Sequence, residues 1–134
     1  LVIFGEGEEK NNLKKIIKKN KLENRIKIFN FTANPYAYLK SCDLFILSSR
    51  WEGMPNILIQ ALSCRSNILS TDCKYGPRQI LKNGKLGYLC KVNDPESMSK
   101  KIMIALKKKK KIVYNEIAKY DKKKIISQYV KILS

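Results

Sequence analysis

The chain has 134 residues and a hydrophobic fraction of 44%, which suits a single domain with a real core and excludes a disordered tail. No apolar run approaches the ~20 residues that cross a bilayer, and no secretory signal pattern is present. The net charge of +17, from 28 basic and 11 acidic residues, permits an anionic partner such as nucleic acid, a membrane surface or an acidic substrate.

The basic excess is mostly lysine, spread over helix-like stretches, with only four arginines in the chain. Because nucleic-acid surfaces typically interleave arginine with aromatic residues, this pattern disfavours nucleic acid and favours a solvated lysine-rich surface, with an anionic membrane as the alternative. The cysteines are widely scattered and the chain has no histidine, so we expect reduced thiols in a cytosolic protein and no metal site. The four cysteines are Cys42, Cys64, Cys73 and Cys90.

Short apolar runs alternate with amphipathic stretches along the chain. In chain order they predict a strand at 1–4, a helix at 8–19, a strand at 26–29, a helix at 35–41, a strand at 44–47, a helix at 55–64, a strand at 67–70, a helix at 77–82 and a strand at 87–90. A long helix follows, with Asp94 as its N-cap and Met98, Ile102 and Ala105 on its core face. Two further helical pieces are expected at 112–119 and 121–133.

Strands separated by helices predict an α/β fold with a doubly wound parallel sheet. We expect the domain to span residues 1–106, followed by a lysine-rich helical extension at 107–134. In such sheets ligands bind beyond the carboxyl ends of the strands, so the loops after the strands are the candidate sites.

Three of these loops could carry chemistry. Gly5 and Gly7 let the backbone approach a ligand closely, although a simple tight turn explains them equally well. The loop at 48–56 leads into a helix N-terminus, where backbone N–H groups suit a diphosphate and Glu52 could accept hydrogen bonds from sugar hydroxyls. The loop at 71–78 opens another helix at the same sheet edge, and an ordinary connecting loop is its alternative interpretation.

The segment SSRWEGMPNILIQAL at 48–62 resembles the signature of GT-B glycosyltransferases of family four, often called glycosyl transferases group 1. Supporting matches follow in the family's order: FGEGE at 4–8, NPY at 34–36, ALSC at 61–64, TDC at 71–73, GPR at 76–78, GYL at 87–89 and NDPE at 93–96. Each motif is modest by itself, but their order and spacing over residues 1–106 are highly specific.

This resemblance implies the C-terminal, Rossmann-like half of a two-domain enzyme of polysaccharide biosynthesis. That half would bind a nucleotide-diphosphate sugar (UDP, GDP or ADP), and an N-terminal domain would carry most of the acceptor site. A hexose-type sugar would be transferred to a glycan or lipid-linked acceptor with retention of configuration and without a metal or other cofactor. Glu52 would be the catalytic residue that contacts the transferred sugar. The residues expected to bind the donor are Gly5, Gly7, Phe29, Asn30, Arg50, Gly53, Met54, Pro55, Asn56, Ile57 and Gln60.

The chain departs from the family pattern at several positions. Gln60 and Gln79 stand where the family has glutamate, and Arg65-Ser66-Asn67 replaces the usual Gly-x-Pro. The chain starts at Leu1 inside an apolar run, which predicts a fragment, a domain excerpt or a non-standard start codon. An Arg and a Lys that clamp the diphosphate in the family would precede this point, on a βα unit that this chain lacks.

We therefore expect the chain alone to be nearly inactive, as a truncated relative or one half of a split enzyme. Two alternatives stay open: an inactive remnant, and a basic module that binds membranes or nucleic acid. We expect a cytoplasmic location with peripheral contact to the inner membrane face.

Overall fold

The computed structural model describes residues 1–112 and 116–133, in two compact units, Leu1–Pro35 (unit 1) and Tyr36–Ser134 (unit 2). The strands of the described part are β1 Val2–Phe4, β2 Lys27–Phe29, β3 Phe45–Leu47, β4 Ile68–Thr71 and β5 Tyr88–Cys90. The α-helices there are α1 Lys10–Lys19, α2 Tyr36–Ser41, α3 Asn56–Ser63, α4 Pro77–Ile80, α5 Pro95–Lys107 and α6 Lys122–Leu133. Every predicted strand is present within one residue at each end.

Unit 1 is a βαβ element. Strands β1 and β2 pair in parallel, with Val2 opposite Lys27 and Phe4 opposite Phe29. The rings of Phe4 and Phe29 stack with their centroids 5.5 Å apart, which adds a modest aromatic contact to the backbone ladder.

Helix α1 begins two residues later than predicted. The N–H of Lys10 donates to the carbonyl of Gly7 at 3.1 Å, so the two intervening residues form a turn rather than the first helical positions. Its expected apolar face is little buried: Leu13 is 37% exposed and Ile16 is 48% exposed. The predicted helix is confirmed.

Unit 2 contains a three-stranded parallel sheet in the order β3-β4-β5. Leu47 lies opposite Ser70, and Thr71 lies opposite Cys90. The carboxyl ends of all three strands therefore meet at one edge, where the connecting loops begin.

The sheet of unit 2 has helices on both faces. Neighbouring residues of β4 point to opposite faces, so each packs against a different set of helices. Ile68 packs into a cluster with buried residues of α2, α3 and α4, which are Leu39, Leu58, Ala61, Leu62 and Ile80. Leu69 packs on the opposite face with Tyr88, Cys90 and Ala105 of α5, and Met98 and Ile102 lie against this second cluster. The predicted doubly wound α/β fold and the predicted core face of α5 are confirmed.

The C-terminus of α3 shows how the chain tolerates the loss of the family's glycine. Arg65 adopts a left-handed backbone conformation with φ of 56°. The N–H of Ser66 donates to the carbonyl of Ala61 at 3.0 Å, and the N–H of Arg65 donates to that of Leu62 at 2.9 Å. This is a Schellman ending, which usually has glycine at the position of Arg65.

The two residues after Arg65 make buried hydrogen bonds, and the bond of Asn67 needs a side-chain amide that the proline of a Gly-x-Pro sequence lacks. The Ser66 hydroxyl donates to the carbonyl of Leu39 at 2.6 Å. The Asn67 side-chain amide donates to the carbonyl of Ala105 near the end of α5, also at 2.6 Å. These bonds connect the start of β4 to helices on both faces of the sheet.

The remaining boundaries differ from expectation at two places. Helix α4 ends at Ile80, two residues early, because Lys82 and Asn83 adopt left-handed φ values of 48° and 54°. The helix predicted at 112–119 lies partly outside the described residues, since 113–115 are not described, and a short 3-10 turn occupies Ala118–Tyr120.

The start of α5 agrees with the prediction. The carboxylate of Asp94 caps the helix by accepting from the N–H of Ser97 at 2.8 Å, and Pro95 takes the first helical position. In the described part of the chain, no helix is both long and apolar enough to cross a membrane.

Candidate functional site

The loops after β3 and β4 are joined at the carboxyl edge of the unit 2 sheet. The hydroxyl of Thr71, the last residue of β4, donates to the carbonyl of Ser49 at 2.5 Å. The same hydroxyl lies 3.4 Å from the carbonyl of Leu47. Thr71 is buried, so this bond fixes the first part of the β3–α3 loop to the neighbouring strand.

Glu52 lies in this loop with its carboxylate held from one side. The Ser49 hydroxyl donates to Oε1 of Glu52 at 2.7 Å. Glu52 itself is half-buried, so it keeps contact with solvent. A carboxylate whose position is set by one hydrogen bond retains lone pairs that can accept from a ligand hydroxyl.

The N-terminus of α3 follows four residues after Glu52. The sequence predicts a helix start at Pro55, but the helix starts at Asn56 and Pro55 is its N-cap. No side chain caps the first turn by a hydrogen bond. The first N–H groups of a helix have no intrahelical partner, so those of Asn56 and Ile57 are available at a positive helix end. Proline has no N–H, so Pro55 can only shape the loop.

The side chains around this helix start divide into two groups. Met54 is 52% exposed and Asn56 is exposed, so both can meet a ligand. The Ile57 side chain packs against the core cluster of α3, which leaves only its backbone for binding. Gln60 lies about one turn further along α3 and is half-buried.

Gly76, at the start of α4, brings the β4–α4 loop into close contact with the β3–α3 loop. Its φ is +85°, and a Cβ placed there would clash with the Pro55 ring and lie 2.6 Å from the carbonyl oxygen of Gly53. Only glycine allows this approach, so the two loops are fixed against each other.

The other expected donor residues lie in unit 1. The N–H of Gly5 donates to the carbonyl of Phe29 at 3.2 Å, so this glycine extends the β1–β2 ladder. Gly7, Phe29 and Asn30 are exposed, and the Asn30 side chain accepts from the ammonium of Lys10. The expected site residues are divided between the two units: Gly5, Gly7, Phe29 and Asn30 belong to unit 1, and Arg50, Glu52, Gly53, Met54, Pro55, Asn56, Ile57 and Gln60 belong to unit 2.

The four cysteines are free. Burial raises the pKa of Cys73, and the negative charge of Glu52 acts in the same direction. Burial likewise raises the pKa of Cys42 and Cys90. Among the described residues, no group of three His, Cys, Asp or Glu side chains is placed to hold a metal ion.

Sequence reasoning missed the residues that support the site. Ser49 and Thr71 position the Glu52 loop, yet only the spacing of Ser49 three residues before Glu52 hinted at this. Asp72 accepts two hydrogen bonds from the guanidinium of Arg78, including one from Nε at 3.0 Å. That ion pair orders the beginning of α4 beside the two loops.

Comparison with known proteins adds independent information. The family model of Glycosyl transferases group 1 matches residues 1–124. In an alignment of 139 positions, gaps included, the chain is 34% identical to the N-acetylgalactosamine-N,N'-diacetylbacillosaminyl-diphospho-undecaprenol 4-alpha-N-acetylgalactosaminyltransferase of Campylobacter jejuni. This match covers 99% of this chain and 38% of that protein. It is also 47% identical over 81 residues to an uncharacterized glycosyltransferase of Methanocaldococcus jannaschii, covering 60% of this chain and 20% of the relative.

A solved structure shows the same fold. A variant of TarM from S. aureus, in complex with fondaparinux, alpha-GlcNAc-glycerol and UDP, is similar with a TM-score of 0.72 and 28% identity over 80% of this chain and 22% of that one. The chain therefore spans 20% to 38% of the length of these three proteins.

Proposed function

The chain belongs to the glycosyl transferases group 1, with the fold of a Rossmann-like half of a GT-B enzyme, and from this premise we propose that its loop after β3 binds a nucleotide-diphosphate sugar for transfer. The observation that carries the proposal is the arrangement of Glu52, held by Ser49 at 2.7 Å, directly before the uncapped N-terminus of α3. Glu52, which can accept hydrogen bonds from sugar hydroxyls, thus lies next to a helix N-terminus, which can bind an anion.

The division of tasks within the loop follows from chemistry. Glu52 accepts hydrogen bonds from the transferred sugar, while the N–H groups of Asn56 and Ile57 face the diphosphate. As the bond to the sugar breaks, negative charge grows on the diphosphate, and fixed N–H dipoles stabilise it without reorganising. Transfer of a hexose-type sugar with retention of configuration and without a metal is the reaction that we propose for the complete enzyme.

The family resemblance implies that the residue at position 60 contacts the ribose hydroxyls, and this chain has Gln60 there instead of the family's glutamate. An amide can accept a hydrogen bond from a ribose hydroxyl, but a carboxylate makes a shorter, charge-assisted bond of roughly twice the strength. We therefore propose that this chain binds the nucleotide more weakly than a relative with glutamate at this position.

A second domain is the proposed partner for the full reaction. The loops described here supply groups for a donor, and the acceptor would be held mainly by an N-terminal GT-B domain. By this proposal the 134-residue chain binds the donor but transfers sugar very slowly, and turnover at an ordinary enzymatic rate by the purified chain would contradict it.

We call the β3–α3 loop, residues 48–55, the donor loop. Donor binding can be measured through Trp51 in this loop, the single tryptophan of the chain, which is 78% exposed. We expect its fluorescence to change on titration with one of UDP, GDP or ADP and with the corresponding nucleotide sugar. Glu52→Gln should weaken binding of the nucleotide sugar by about tenfold, since a charge-assisted hydrogen bond is worth roughly 1.5–3 kcal/mol, and leave the free nucleotide unaffected.

A matched control is Glu96→Gln, which removes an exposed carboxylate on α5 that pairs with Lys100. It should leave both affinities unchanged. If no nucleotide or nucleotide sugar binds at millimolar concentration, the domain is an inactive remnant and the proposal fails.

Contact with an anionic membrane is a second proposal, which would accompany a cytoplasmic location at the inner membrane face. It is favoured by the outer side of α5, where Met103 is 58% exposed and Leu106 is 53% exposed, just before the lysines at 107–111. Apolar side chains beside lysines suit a lipid interface.

Sedimentation with phosphatidylglycerol vesicles should pull down the chain at low salt, and replacing the five lysines at 107–111 by glutamine should abolish this. Equal binding to phosphatidylcholine vesicles would contradict an electrostatic contact.

A further inference from the structure

A basic cleft of about 870 Å³ lies in unit 2 beside the donor loop. Its volume is within the range of small-ligand sites. The side chains that line it include four cations and no carboxylate, and those cations are Lys74, Arg78, Lys82 and Lys85. The cleft is therefore a concentration of positive charge in a concave surface, where fields are focused.

Two of the cations are held in place by carboxylates that lie outside the lining. Arg78 is paired with Asp72 through two of its five N–H groups, which leaves three that can donate elsewhere. Lys82 is paired with Glu116. Such pairs fix the positions of the cations, so a ligand meets groups that are already ordered.

Among residues 1–112 and 116–133, no carboxylate forms an ion pair with the other two cations. The Lys74 ammonium lies 5.2 Å from the centre of the Tyr75 ring, a contact that leaves its charge in place. Lys85 is exposed and follows the left-handed turn at Lys82 and Asn83, which returns the chain to the cleft. These two lysines give the cleft an uncompensated charge that an anion can bind.

The cleft adjoins the proposed donor site without coinciding with it. Of the residues assigned to the donor in unit 2, Gly53 alone lines the cleft. Gly53 directly follows Glu52, and the close packing of Gly76 against Gly53 fixes the two sites relative to each other. A ligand in the cleft would thus lie next to the position where Glu52 meets the transferred sugar.

We infer that this cleft binds a phosphate group of the acceptor substrate, so that the acceptor is a phosphate-bearing molecule. The inference rests on the donor site proposed above, since it assigns the neighbouring cleft to the second substrate. Lys74, Lys85 and the unpaired N–H groups of Arg78 hold the phosphate oxygens, and the 60% exposed ring of Tyr75 offers a face to an adjoining sugar or polyol.

The test uses the 134-residue chain labelled with ¹⁵N and titrated with inorganic pyrophosphate at constant ionic strength. We expect the amide signals of residues 74–85 to shift and saturate. The double variant Lys74→Gln/Lys85→Gln should bind about tenfold more weakly, because it removes the two cations of the cleft that have no carboxylate partner among the described residues. The control Lys14→Gln/Lys15→Gln removes the same charge from exposed positions on α1 and should bind as the unchanged chain does.

Three results would overturn the inference. The first is the absence of any saturable shift at residues 74–85, and the second is an equal loss in the two double variants, which would indicate counterion attraction only. The third is displacement of pyrophosphate from the cleft by a saturating concentration of whichever of UDP, GDP or ADP the chain binds, which would make the cleft part of the donor site. If none of the three nucleotides binds, the donor proposal fails, and the signals of residues 74–85 still decide whether the cleft binds an anion.

Discussion

Units 1 and 2 are built from similar βα elements, but they differ in how many of their side chains are buried. None of residues 1–35 is buried, and the apolar residues Leu13 and Ile16 of α1 stay substantially exposed. In unit 2, by contrast, Leu58, Leu62 and Ile68 are completely buried, on elements that carry the loops of the candidate site. The comparison indicates that Glu52 and the α3 N-terminus rest on a packed core, whereas Gly5, Gly7, Phe29 and Asn30 rest on a lightly packed βαβ element.

The largest expected effect comes from removing the same side chain in the two units. Leu58→Ala should lower the free energy of unfolding by about 3 kcal/mol, because it leaves a cavity in the α3 core. Leu13→Ala should cost less than about 1 kcal/mol, since that side chain is 37% exposed. Urea unfolding followed by circular dichroism measures both, and equal losses would contradict the proposed difference between the units.

The next effect tests whether the close packing of Gly76 holds the donor loop in position. Gly76→Ala should cost about 1–3 kcal/mol, because its positive φ and its contact with Pro55 and Gly53 leave no room for a Cβ. We also expect Trp51 fluorescence to change, since the donor loop must move to accommodate the methyl group.

Gly53→Ala is the matched control, because an added Cβ there meets nothing within 4 Å. The same loss of stability from both substitutions would mean that glycine flexibility, not the close loop contact, is what matters.

Much of the fold of unit 2 could be predicted because local sequence and final packing agree there. The alternation of apolar runs locates β3, β4 and β5, and Asp94 followed by Pro95 correctly marks the start of α5. The spacing of Met98, Ile102 and Ala105 predicts the face that packs on the sheet. In unit 1 the same kind of pattern correctly predicts α1, but periodicity does not reveal what a helix packs against, so it could not predict that Leu13 and Ile16 stay exposed.

The supporting contacts of the site could not be predicted from local patterns. The bond between Thr71 and Ser49 joins residues that are 22 positions apart, and it depends on the register of β3 and β4. The cleft collects Lys74 and Lys85 only because the chain turns back after α4. Such long-range arrangements follow from tertiary packing, which is why the sequence predicts the donor loop but not the basic cleft beside it.

The smallest expected effect comes from placing glycine at two equivalent helix C-termini, one in each unit. Lys21 after α1 and Arg65 after α3 both adopt left-handed φ values, 54° and 56°, in the position that usually holds glycine. Arg65→Gly should raise the free energy of unfolding by about 0.5–1 kcal/mol, because it relieves backbone strain within the cooperative core of unit 2. Lys21→Gly relieves the same strain in unit 1, so it should slow amide hydrogen exchange in α1 while leaving the urea transition of unit 2 unchanged. Equal shifts of that transition by the two variants would show that units 1 and 2 unfold together and would remove the contrast between them.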